Sequence, residues 1–147
     1  MGVTIGNELS TEVLALLQGD RAIVLATVDD QGWPDTAPFS WAVAVDLKTV
    51  RVAVNEQVET LRNIRRNGRV RLCVTGGGMT VSVRGHARVV REHMTSTPLA
   101  TAMVEIHVDE VKNDDVMGRV DGEKLRWDRR HAVAADAAVV AELRSVG

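Results

Sequence analysis

The chain has no tyrosine, one phenylalanine and three tryptophans, so aromatics are only 3% of its 147 residues. Valine and alanine must therefore fill the core, and valine favours strands. The one cysteine, Cys73, excludes an internal disulfide. No apolar run approaches the ~20 residues that a membrane-spanning helix needs. The opening stretch MGVTIGNELS lacks the charged and apolar regions of a signal peptide, and Gly6 stands where an N-myristoylation pattern needs Ser or Thr. Neither sign of charge dominates: 18 basic against 20 acidic residues give a net charge of −2. No global field then draws the chain to nucleic acid or to an anionic membrane. A cytoplasmic protein is the expectation.

Catalytic motifs are missing too. His86, His93, His107 and His131 are dispersed without paired-ligand spacing, so no metal is expected. His86 and His107 read as surface histidines. There is no GxSxG, and no GxGxxG opens a helix after a strand. Gly76-Gly77-Gly78 lacks the phosphate-loop pattern and reads as a turn. Cys73 sits in mid-strand as a packing residue. No catalytic residue can be named.

What remains is ordinary globular composition, 45% hydrophobic and 26% charged, in a length suited to one domain over 1–147. A helix is expected over about 10–18, capped by Ser10, with Glu12 in its first turn and Gly19 after it. Arg21 to Val28 reads as a strand buried on both faces. Thr36 to Val45 reads as one strand, in which Pro38 demands an edge or a bulge. Val50, Val52 and Val54 alternate with polar or small residues as a third strand. A brief helix over 56–67 follows, with Val58, Leu61 and Ile64 on one face. The arginines 62, 65, 66, 69 and 71 crowd this region and read first as a solvated, acid-paired face, with an anion site as the sharper alternative.

Val70 to Val74 and Met79 to Val89 form two more strands. Gly85 and Ala87 mark a bend or a close approach across a barrel. Thr97-Pro98 predicts a helical turn. Val104, Ile106 and Val108 alternate in a sixth strand. Asp114 to Arg130 reads as loop, and the alanine-rich 131–144 as a terminal helix. The sum is mainly β with peripheral helices: a six-stranded antiparallel barrel, closed or half-closed, over about 21–112. If a small-molecule site exists, it belongs at Val54 to Thr60, where a strand ends and a helix N-terminus opens.

Three stretches in series carry a resemblance: LATVDDQGWPDTAPFSW (25–41), ETLRNIRRNGRVRLCV (59–74) and VSVRGHARVV (81–90). Together they resemble the pyridoxamine 5′-phosphate oxidase-like family of flavin-binding split β-barrels. The resemblance implies a homodimer with flavin mononucleotide (FMN) in two equivalent clefts between subunits. It implies a flavin-dependent oxidoreductase acting on an unknown small molecule. By position it implies that Pro38, Phe39, Ser40 and Trp41 lie along the flavin ring and ribityl chain, with Val54 and Asn55 beside the flavin. Val58, Glu59 and Thr60 fall on the phosphate-binding positions, Thr80 near the ring, and Trp127 over the flavin.

One departure stands out. The family places a basic residue at position 59 or 60, where this chain has Glu59 and Thr60. A carboxylate facing a dianionic phosphate is repulsive. Glu59 can turn to solvent while Arg62 or Arg65 supplies charge; the site can take a deazaflavin or haem instead; or the protein can be a cofactor-free dimer. A non-catalytic flavin binder is the alternative to an enzyme.

Overall fold

A computed structural model describes residues 3–114 and 133–145. Among them the order is β1 (Val3–Gly6), α1 (Thr11–Leu16), β2 (Ile23–Val28), β3 (Pro34–Phe39), β4 (Ala42–Asp46), β5 (Thr49–Asn55), α2 (Glu59–Arg66), β6 (Arg69–Gly76), β7 (Met79–Arg91), β8 (Thr101–Asn113) and α3 (Val133–Arg144). The strands make one antiparallel sheet in the order β3-β2-β6-β7-β8-β5-β4, with β1 paired to the far end of β8. The two ends of that path, β3 and β4, are consecutive in the chain and separated only by Ser40 and Trp41. The sheet therefore curls until its edges meet at that corner and stays open elsewhere, a split barrel.

Eight strands stand where six were expected, for two reasons. The expected strand over 36–45 breaks at Ser40–Trp41, which lets the sheet turn its corner. Pro38 sits in the terminal strand β3, where a missing N–H is harmless. The second addition is β1, a short segment whose partner is the end of β8. Burial of β2 on both faces is also corrected. Its residues alternate, and Val24 is 44% exposed, because no helix of the described chain covers that face. Thr97-Pro98 opens no helix: Leu99 N donates to Thr97 Oγ1 at 3.2 Å, a local side-chain turn instead. The expected loop from 115 onward and residues 131–132 lie outside the described residues.

Other local expectations hold. Ser10 Oγ accepts from Val13 N at 3.1 Å, capping α1. Gly77 and Gly78, at φ 58° and 80°, form the two-residue turn between β6 and β7. Positive φ at both central positions matches the right-handed twist of the hairpin. At Gly85 the close neighbour is the adjacent strand. A Cβ there would lie 2.3 Å from the carbonyl oxygen of His107 and 2.9 Å from Ile106 Cγ2.

Two apolar layers result. Inside the barrel, Leu25, Val52, Val54, Leu72, Val83, Val104 and Ile106 are fully buried. Outside it, Val43, Ala53, Met94 and Met103 meet Val139 and Leu143 of α3. No helix of the described residues is long and apolar enough to cross a membrane.

Candidate functional site

Alternation along β5 sends Val54 into the barrel, where it is fully buried, and Ala53 outward under α3. Trp41 O accepts from Ala53 N at 2.9 Å, so the Ser40–Trp41 corner lies directly beside the end of β5. Four residues further on, α2 begins. The structure thus gathers Phe39, Ser40, Trp41, Val54, Asn55, Val58, Glu59 and Thr60 along one continuous stretch of surface and subsurface. Phe39 packs on the barrel core, while Pro38 is exposed. Trp41 turns away from the barrel. Its Nε1 donates to Asp136 Oδ1 of α3 at 2.8 Å.

Asn55 shapes the approach to α2. Its side chain accepts from Gln57 N at 2.8 Å and its carbonyl from Val58 N at 3.3 Å. Val58 is the N-cap residue and offers no side-chain cap. That is what its aliphatic side chain dictates, and it leaves the first-turn N–H groups without a side-chain acceptor. Thr60 is buried at 2% exposure. Glu59 is exposed and forms an ion pair with Arg62, three residues on. Of the three outcomes open for Glu59, this is the turn to solvent, but with Arg62 engaged by it. Arg65 is tied to Glu92 at 2.6 Å, a hydrogen bond that holds the Glu92 carboxyl below the usual carboxylate range.

The residues present fit a flavin unevenly. The corner and the β5 end offer backbone and the partly exposed Phe39, Ser40, Trp41 and Asn55, while Val54 and Thr60 are buried. The helix start offers N–H donors and a partial positive charge, but its side chains add no free cation to a phosphate. Thr80 is not part of this stretch. Pro38 pairs with Val24, Val24 with Cys73 and Cys73 with Ser82, so β7 lies three strands away, roughly 15 Å across the sheet. Trp127 lies outside the described residues.

Two features were not found from sequence. Asn63, fully buried, donates to Thr27 Oγ1 at 2.9 Å and to Asp35 Oδ2 at 3.2 Å, and accepts from Arg66 at 2.9 Å. It fixes α2 to the β2–β3 hairpin and so aims the helix N-terminus. A polar residue between Leu61 and Ile64 on the apolar face was the available signal. The second feature is His93, whose Nδ1 lies 2.7 Å from Glu56 Oε1, next to Asn55. Thirty-seven residues separate the two, and nothing in the sequence links them.

Residues 9–139 match the profile of the pyridoxamine 5′-phosphate oxidase family. Among solved structures, one named as a candidate pyridoxamine 5′-phosphate oxidase from Lactobacillus delbrueckii is 24% identical, with a TM-score of 0.64 over 76% of this chain and 98% of that one. An FMN-binding protein from Syntrophomonas wolfei is 13% identical, with a TM-score of 0.58 over 72% and 88%. An F420 reductase is 18% identical, with a TM-score of 0.57 over 66% and 93%. No curated protein matches the chain.

Proposed function

We propose that this chain, which belongs to the pyridoxamine 5′-phosphate oxidase family, binds a flavin at the β3–β4 corner and acts as an oxidoreductase. The observation that carries this reading is the hydrogen bond from Ala53 N to Trp41 O. It sets the corner beside the end of β5, from which the chain runs on into the N-terminus of α2. There Phe39, Ser40 and Asn55 border the ring, and the amides of Glu59 and Thr60 face the phosphate. The flavin, when bound, supplies the electron chemistry. The His93–Glu56 pair stands beside Asn55. A homodimer with the cleft between its subunits belongs to this reading, as the family resemblance implies. A cytoplasmic setting accords with Cys73 as a free thiol.

A second reading is a flavin carrier without turnover. Glu59 is the one titratable group among the described candidate residues, and Arg62 engages it. The visible spectrum of purified protein tests both readings, since flavin bands are expected in either. Oxidation of reduced nicotinamide by the flavin-loaded protein separates them.

Glu59→Arg tests the phosphate end. The substitution removes a carboxylate, frees Arg62 and adds a fork that matches phosphate geometry. A charge-assisted hydrogen bond contributes about 1.5–3 kcal/mol, so FMN should bind roughly ten- to a hundredfold more tightly. Riboflavin, which lacks the phosphate, should be unaffected. Equal gains for both ligands would remove phosphate recognition from α2.

A further inference from the structure

The arginines around α2 divide into two groups. Arg62 and Arg65 are paired with Glu59 and Glu92, and Arg66 donates to Asn63. Arg69 and Arg71, on the outer face of β6, have no carboxylate partner among the described residues and are exposed. The sheet register places them against more positive or protonatable groups. Arg71 is directly opposite Arg84, Arg69 opposite His86, and His86 opposite His107. Like charges directly across strands are destabilising. Among the described residues, two carboxylates answer them. Arg84 is followed on β8 by Glu110 at 3.3 Å, and His86 Nδ1 lies 2.5 Å from Asp109 Oδ2.

A bulge builds this arrangement. Arg84 pairs with Glu110 and Gly85 with Val108, so Asp109 is an extra residue of β8 with no partner across the ladder. The extra residue turns Asp109 to the same outer side as Glu110. Beside it lies a half-open cavity of about 470 Å³, lined by Arg69, Arg84, Gly85, His86 and Asp109. None of the candidate flavin residues lines it.

We infer that this cavity is a second binding site, for a small phosphate-bearing molecule, gripped by the guanidinium groups of Arg69 and Arg84 and by the His86 imidazole. Two planar forks and a ring N–H match the several oxygens of a phosphoryl group. Asp109 holds Nδ1 of His86, which leaves Nε2 to face the ligand. The anion relieves the repulsion that the register builds into β6 and β7. The cavity's volume suits a small molecule.

Histidine side-chain NMR tests this with inorganic phosphate as the probe, titrated against chloride at matched ionic strength and pH. The His86 and His107 resonances should shift and saturate, while those of His93 stay in place. Arg69→Gln and Arg84→Gln should each weaken the effect about tenfold or more. Arg65→Gln, on α2, should leave it unchanged. A parallel titration with glycerol 3-phosphate distinguishes a free phosphate from a phosphomonoester, and saturation by either supports the site. Shifts that chloride reproduces, or full affinity in Arg69→Gln, would overturn it. None of these readouts requires flavin, so the result stands apart from the fate of the cofactor reading.

Discussion

The inside of the barrel and the layer beneath α3 both exclude water, but they are held in different ways. Inside, Leu25, Leu72, Val52, Val83 and Val104 are fully buried aliphatics, placed by strand register alone. Beneath α3 the apolar side chains are joined by buried ions. Arg51, 4% exposed, donates to Glu105 at 3.0 Å and to the carbonyl of Leu143 at 3.2 Å. Glu142, 8% exposed, accepts from Arg91 at 3.0 Å and from the amides of Thr95 and Ser96 at 2.9 and 2.8 Å. A sheet interior is specified by a period-two pattern, whereas a helix laid over a sheet's outer face needs directional contacts to fix its position. The barrel is thus set by pattern, and the α3 layer by particular hydrogen bonds.

The sharpest test of the first half is Leu72→Ala. It should cost about 2–5 kcal/mol through lost burial and a residual cavity, read as a fall in the denaturation midpoint of the whole molecule. A loss confined to α3 would mean that the two layers are not separate.

Glu142→Gln tests the second half. It takes the charge from three hydrogen bonds and should cost about 1.5–3 kcal/mol. Hydrogen exchange should rise first in α3 and around Thr95, while the amides of β6 and β7 stay protected. The same carboxylate gives a pH signature. Burial pushes its pKa up, but the bonds from Arg91 and the two amides outweigh this and hold it below the usual glutamate value. Its contribution is therefore present above the ordinary glutamate range and is lost as the pH falls through the lowered folded-state value. Glu142→Gln should flatten that acid limb. An unchanged limb would assign acid sensitivity elsewhere.

Gly85→Val returns to the barrel wall. A side chain there meets a backbone carbonyl rather than a movable group, so a loss of about 1–3 kcal/mol in thermal denaturation is expected. The smallest effect should come from Trp41→Phe, which keeps an aromatic ring, though a smaller one, and removes the Nε1 bond to Asp136. About 0.5–1.5 kcal/mol is expected, with α3 exchange rising and the barrel unaffected. A larger global loss would make Trp41 part of the barrel rather than of the α3 layer.

Legibility followed the same division. The strands at 50–54, 70–74 and 79–89 were read close to their observed bounds, because alternation leaves a period-two trace, whereas β8 runs from Thr101 to Asn113, well beyond the Val104–Val108 stretch that marked it, and β5 is buried on both faces. The Ser10 cap and the Gly77–Gly78 turn were legible because each rests on a local backbone requirement. The corner at Ser40–Trp41 was not, since nothing between Thr36 and Val45 interrupts the strand pattern except Pro38, which tolerates an edge. The candidate site was half legible. The Val54–Thr60 junction follows from a strand meeting a helix, but the pairing of Glu59 with Arg62 rather than with a ligand is a rotamer choice.

By itself the sequence determined a mainly antiparallel β fold, α2 and most of the strands in order, and an acid in the first turn of α2. Those are local properties, written in residue periodicity and in the identity of single side chains. Only the tertiary structure decided that the sheet bends at Ser40–Trp41, that Asn63 ties α2 to β2 and β3, and that His93 reaches Glu56. It alone decided that a bulge at Asp109 sets Asp109 against His86 and Glu110 against Arg84. Each of these joins residues far apart in the chain, and a contact of that kind depends on register and curvature that no local stretch encodes.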